Sequence, residues 1–273
     1  MTIMKQVYAK PSKAESGTYL YHVSECYRLW EEIFQSRLKA LTWFCNSIGM
    51  NIEEFKSKAK KAILFHDAGK LLPTFQQQMQ RLIEGQPPDW NLNFRHELAS
   101  ALLLFMIEWE TLKKDPSLIP YEILAVLGHH KSLNPDWRSF ERDKFRQDSP
   151  GLDEAAIQRI LQIANLHDLF CEIDMPFALK IFESPQWPFI LLNALAERIS
   201  STSLSNISNF ERRKLRIIYA LTKGLLMTCD WLASAEKEKR LPLNHETTNS
   251  VFQMKFKEKV EQEGRIYEKR PFH

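Results

Sequence analysis

The chain has 273 residues, 44% of them hydrophobic and 26% charged, enough to bury a sizeable core in one large domain or two small ones. Lys+Arg 37 against Asp+Glu 34 gives a formal charge of +3, which argues against a polybasic membrane-binding protein and leaves room for a local basic groove. Only 8 glycines occur and long stretches show helical periodicity, so the reading is all-α.

Met1 to Gly17 is polar and reads as an extended lead-in. A first helix is expected from about Leu20 to about Ile48, with His22 in its first turns and Gly49 as its stop. Asn51 is a candidate N-cap for a second helix from about Ile52 to Ala68, on which Ala59, Ala62, Ile63, His66 and Asp67 share a face. Gly69 can take a left-handed C-terminal conformation, and Pro73 opens a helix to about Glu84. Gly85 to Asp89 breaks the chain. Arg95 to about Lys113 is helical, with His96, Ala99, Ser100 and Leu103 on one side. Its apolar run, Ala101 to Ile107, is the longest in the chain and falls far short of the roughly 18 residues of a membrane span. With no apolar signal core at the N-terminus, a soluble cytoplasmic protein is expected.

Pro120 can open the next helix, which carries Ile123, Leu124, Leu127, His129 and His130. Lys131 to Gly151 is the longest loop candidate. Helix returns from Leu152 to Leu169, and Pro176, Pro185 and Pro188 punctuate the next stretch. Trp187 to Ile199 is helical. Phe210 to Lys239 is a long helix with a stripe of Ile217, Ile218, Leu221, Leu225, Leu226, Cys229, Asp230, Ala233 and Ser234. Val251 to Glu263 has an amphipathic pattern. Cys26, Cys45, Cys171 and Cys229 show no Cys-x-x-Cys spacing and read as reduced packing cysteines.

The chemistry-bearing residues are His22, His66, Asp67, His96, His129, His130 and Asp230, drawn from at least five helical segments and set largely on apolar faces. A carboxylate facing a core is costly unless it is paired or bound to metal. Asp230 follows Leu225-Leu226-Met227 on such a face. Neighbouring helical residues differ by about 100°, so His129 and His130 can address two sides of one cluster. Two metals roughly 3.5–4 Å apart would use the whole set, with Asp67 as the natural bridge. Nitrogen and oxygen donors without thiolate favour manganese, iron, cobalt or nickel over magnesium or calcium, and zinc is more typical of four-coordinate sites. Lys70 either neutralises a helix C-terminus or points its charge at a bound phosphate. A second His-Asp pair, His167-Asp168, lacks the following Gly-Lys and reads as a non-ligand. His245 and His273 sit in the polar tail.

Five stretches carry a family resemblance: Tyr21-His22; Phe65-His66-Asp67-Ala68-Gly69-Lys70 with Phe75-Gln76; Arg95-His96-Glu97-Leu98-Ala99-Ser100; Gly128-His129-His130; and Asp230-Trp231-Leu232-Ala233-Ser234. The pattern resembles the HD superfamily of metal-dependent phosphohydrolases, and within it the HD nuclease of type I CRISPR interference. The resemblance implies an HD-domain helical bundle over residues 18–240, with 241–273 as a charged tail serving as linker or docking helix. It implies that His22, His66, Asp67 and Asp230 hold one metal, and Asp67, His96, His129 and His130 the second. Lys70 would assist the reacting phosphate and Ser234 would support the site.

The implied reaction is hydrolysis of single-stranded DNA by a hydroxide that the two metals activate, in partnership with a CRISPR helicase and a guide-RNA effector complex. No Gly-x-x-x-x-Gly-Lys-Ser/Thr loop occurs, so the chain is not itself the motor. Lys131, Trp137, Arg138 and Arg142 could form a strand-binding loop, with basic charge on the backbone and rings on the bases. Asp136, Glu141, Asp143 and Asp148 dilute that charge and keep an ordinary solvated loop in play. Two other functions fit the same residues: hydrolysis of nucleotides or cyclic nucleotides, and an inert HD-fold docking module.

Overall fold

The computed structural model describes residues 7–89, 95–115, 118–130, 151–201 and 208–235. Four helix starts carry side-chain caps. Helix α1 (Tyr19–Ser36) begins where the Thr18 side chain accepts the Tyr21 N–H. Helix α3 (Ile52–Phe65) begins where Asn51 accepts from Glu53 and Glu54. Asp153 caps α7 (Glu154–Leu166) and Asp174 caps α8 (Met175–Glu183) in the same way. Each cap satisfies donors that the first turn leaves orphaned. The remaining α-helices among the described residues are α2 (Leu38–Ser47), α4 (Pro73–Ile83), α5 (His96–Lys114), α6 (Tyr121–Leu127), α9 (Trp187–Ser201) and α10 (Asn209–Ser234). No strand occurs among the described residues, so the bundle is all-α.

Four features differ from the sequence reading. The single helix expected over Leu20 to Ile48 is two, because Arg37 sits at φ −114, ψ 10. The bend lets the apolar faces of both α1 and α2 pack on α3. Helix α8 has no counterpart in the sequence reading. Its Pro176 lies in the first turn, where a missing N–H costs nothing. Helix α6 ends at Leu127, so His129 and His130 lie beyond it rather than on it. Along α10 the buried residues are Ile218, Thr222, Leu226, Cys229, Asp230 and Ala233, whereas Ile217 faces solvent.

The core is built around α5, whose residues from Glu97 to Met106 are all buried. It packs on α3, α6 and α9, and on a 3-10 turn formed by Ala68–Leu71. Two ion pairs tie these helices: a buried one, Lys58 of α3 to Glu122 of α6 at 3.2 Å, and a partly buried one, Lys61 of α3 to Glu108 of α5. The lead-in is tethered rather than simply extended. Tyr8 bridges Thr18, and the Gln76 amide accepts from the Tyr8 N–H at 3.0 Å. The same amide donates to the Tyr8 carbonyl at 2.9 Å and the Lys70 carbonyl at 2.7 Å. Residues 1–233 cluster as one unit and 234–273 as another, of which only Ser234 and Ala235 are described. Among the described residues no helix is long and apolar enough to cross a membrane.

Candidate metal centre

Helix α3 stops at Phe65, before the His-Asp pair, and Asp67 at φ −104, ψ 8 leads directly into the 3-10 turn. This break swings Asp67 off the α3 face. Gly69 is not the left-handed stop that its place in the sequence suggests, since positive φ among the described glycines occurs only at Gly49 and Gly85. Its role is close approach: a Cβ there would lie 2.0 Å from the His96 carbonyl oxygen. Ser100 completes the contact, accepting from the Gly69 N–H at 2.8 Å and donating to the His96 carbonyl at 2.9 Å. The turn that carries Asp67 and Lys70 is thereby pinned to the first turn of α5, which carries His96. The Phe75 ring packs edge-on against His96, with centroids 5.6 Å apart.

The two carboxylate oxygens of Asp67 face different neighbours. Oδ2 lies 3.0 Å from His22 Nε2 and 3.4 Å from His66 Nε2. Asp230 Oδ1 completes that side, 3.2 Å from His22 Nε2 and 3.8 Å from His66 Nε2. Asp67 Oδ1 instead lies 3.2 Å from His96 Nε2 and 3.9 Å from His129 Nε2. His130 Nε2 joins this second side, 3.0 Å from His96 Nε2. Two donor groups result, each with ligand atoms within 4.8 Å of one another: His22, Cys26, His66 and Asp230; and Asp67, His96, His129 and His130. The first group is wholly buried. In the second, His96 is half-buried and His130 exposed, so this side opens to solvent.

Outer contacts fix which nitrogen faces inward. His66 Nδ1 donates to the Ile63 carbonyl at 2.8 Å, and His129 Nδ1 to the Val126 carbonyl at 2.6 Å. Each therefore turns its Nε2 toward the cluster, the arrangement typical of ligating histidines. His66 Nε2 and His129 Nε2 are buried with no partner in hydrogen-bond geometry, whereas Asp67 Oδ2 is met by Lys70 at 2.6 Å and His22 at 3.0 Å and Asp67 Oδ1 by His96 at 3.2 Å. Buried orphans of this kind are rare and costly, and converging lone pairs are what a cation needs. The donors fit divalent transition-metal ions.

Electrostatics agree. Burial alone would lower the His22 imidazole, but Cys26, Asp230 and Asp67 outweigh it and hold it up at about 10. Burial likewise opposes a charge on His66, and Asp67 and Asp230 raise it above its ordinary value. Burial would raise Asp67, yet His66, Lys70 and His22 hold it well below the usual carboxylate range. Asp230 is held low against burial by His22 and His66. Burial, with repulsion from His66 and His130, pushes His129 down to about 3. Lys70 Nζ sits 2.6 Å from Asp67 Oδ2, and that contact raises its pKa against the penalty of burial. The pocket is built to hold positive charge around two carboxylates.

The structure brings together His22, His66, Asp67, Lys70, His96, His129, His130 and Asp230. Ser234 ends α10 and is exposed. Lys131, Trp137, Arg138 and Arg142 lie outside the described residues. The second His-Asp pair is elsewhere. His167 Nε2 meets Ser24 Oγ at 3.1 Å, its ring stacks on Tyr27, and Asp168 adopts φ 53. Cys26, read from the sequence as a packing thiol, is fully buried with its Sγ 3.8 Å from His22 Nε2, one turn along α1.

No curated protein matches the chain. A family model described as "Cas3, HD domain" matches residues 9–238 and so spans every one of these donors. The chain belongs to the Cas3 HD-domain family, the metal-dependent HD-type nucleases of CRISPR defence.

Proposed function

We propose that the chain hydrolyses single-stranded DNA phosphodiesters at a two-metal centre bridged by Asp67. The observation that supports this most is the split of the Asp67 carboxylate, with Oδ2 toward His22 and His66 and Oδ1 toward His96 and His129. His22, His66, Asp230 and Asp67 Oδ2 would hold one ion; Asp67 Oδ1, His96, His129 and His130 the other. Such ions polarise a phosphoryl oxygen and provide a water nucleophile at neutral pH.

The protein's own groups do the rest. Asp67 and Asp230 supply the negative charge that retains the cations. His66 and His129 turn their Nε2 atoms inward because their Nδ1 atoms are engaged by carbonyls. Lys70 keeps a buried ammonium beside Asp67, available to a phosphoryl oxygen as charge develops there. The scissile phosphate reaches the centre from the open His96 and His130 side. A single strand can bring its phosphate into this helical cleft more readily than a duplex.

In the same reading residues 18–240 are the nuclease domain and 241–273 a linker or docking tail. Ser234 supports the Asp230 end of α10, and the loop with Lys131, Trp137, Arg138 and Arg142 guides the strand. A CRISPR helicase and a guide-RNA effector complex present the strand in the cytoplasm. The test is incubation of the purified chain and manganese with single-stranded DNA, duplex DNA and nucleoside phosphates. Single-stranded DNA should be cut fastest. Asp67→Ala should lose more than the roughly 10–100-fold typical of residues that only support a ligand. Turnover of nucleoside phosphates without DNA cleavage would replace this reading with a nucleotide hydrolase.

A further inference from the structure

The buried donor group contains a sulfur that the family pattern of histidines and aspartates does not include. Cys26 lies one helical turn after His22 on α1, and the two side chains point the same way. Its Sγ is 3.8 Å from His22 Nε2 and lies within 4.8 Å of the inward atoms of His66 and Asp230. A metal with sulfur at ~2.3 Å and nitrogen at ~2.0 Å in tetrahedral geometry separates those donors by about 3.5 Å. The observed spacing is therefore close to what a shared ion requires.

A buried cysteine ordinarily packs as a small apolar side chain and faces carbon. Cys26 faces two imidazoles and a carboxylate instead. The cluster has its own evidence of an intended occupant, because His66 Nε2, in the same donor group, is fully buried with no partner in hydrogen-bond geometry. We propose that Cys26 is a thiolate ligand of the buried metal position, which makes the two positions chemically unequal.

This deepens the two-metal reading and rests on it. The buried position offers sulfur, two nitrogens and carboxylate oxygen, a soft and closed set suited to zinc, cobalt or iron(II). The open position offers three histidines and Asp67 with no sulfur, a harder set with access for substrate. The absence of thiolate assumed from sequence holds only for the second position.

Cobalt(II) distinguishes the alternatives without an activity assay. The full chain, titrated anaerobically with cobalt, should develop visible ligand-field bands together with a near-ultraviolet sulfur-to-cobalt charge-transfer band. Cys26→Ser should lose the charge-transfer band and keep ligand-field absorption from the remaining donors. Cys45→Ser and Cys229→Ser should keep both. Should Cys26→Ser fail to fold, X-ray absorption of cobalt-loaded wild-type protein serves alone, with a sulfur shell expected at ~2.3 Å. Ligand-field bands with no sulfur signal would overturn the thiolate assignment and leave the metal centre standing. No cobalt uptake by the wild-type chain would overturn both.

Discussion

Two His-Asp pairs in one chain make a natural control at the scale of single residues. His66-Asp67 breaks a helix into a cluster of buried donors. His167-Asp168 ends α7, where the Leu169 N–H reaches the Ala164 carbonyl at 3.0 Å and the Asp168 N–H the Asn165 carbonyl at 3.1 Å. That is a Schellman ending, and Asp168 takes the left-handed position at φ 53 that glycine usually fills. Asp168→Gly should leave metal uptake and cleavage unchanged and keep stability within about 1 kcal/mol, since it relieves backbone strain while loosening the unfolded chain. Asp67→Asn keeps the size of the side chain and removes the charge, and should abolish metal uptake measured by calorimetry. Equal metal uptake by Asp67→Asn and wild type would separate the bridge from its proposed role.

Among the elements, the most constrained contact is the 3-10 turn on α5. Gly69→Ala would force a Cβ against the backbone of His96, which cannot rotate away as a flexible side chain could. We expect a loss of at least about 2 kcal/mol in denaturant unfolding, with metal affinity falling as His96 shifts. The ion pair between α3 and α6 gives a second prediction. Lys58→Met leaves Glu122 fully buried and unpaired, and should cost about 3–5 kcal/mol, whereas Lys58→Met with Glu122→Leu should recover most of it. A double variant as unstable as the single would mean the pair contributes more than its own compensation.

The same division separates the features legible in the sequence from those that were not. Periodicity found α3, α5, α7, α9 and α10 because each buries one stripe or, for α5, nearly everything, and Pro73 marked the start of α4, which buries only Met79. It joined α1 to α2 because Arg37 is an ordinary helix former, and only packing on α3 demands the bend. It passed over α8 because three nearby prolines outweighed a short apolar run. At the site, polar residues on apolar faces marked seven donors. Cys26 was read as a packing residue because cysteine on such a face is unremarkable until its neighbours are known. Gly69 was marked as special for the wrong reason, since a chain sequence records a glycine but not the carbonyl that comes to lie against it.

For the molecule as a whole, the decisive feature is where the donors come from. His22 belongs to α1, His66 and Asp67 to the break between α3 and the 3-10 turn, His96 to α5, His129 and His130 to the turn after α6, and Asp230 to α10. These segments are far apart in sequence and meet only in the folded state. Two cations held there would together cross-link five parts of the bundle, and the unfolded chain offers no comparable site. Metal binding is then folding free energy, and the stabilisation grows with free metal as RT ln(1 + [metal]/Kd), about 2.7 kcal/mol at a concentration 100 times Kd. Thermal unfolding of chelator-treated protein should therefore shift upward when manganese or cobalt is restored, and the shift should keep rising with metal concentration. Magnesium should do less, because the donor set is rich in nitrogen. Alanine at His130, the most exposed donor, should reduce the shift least, and alanine at the bridging Asp67 should remove it. A melting temperature indifferent to transition metals would mean that the converging donors are held by protons and Lys70 alone, and the centre would have to be read as an ion-pair core instead.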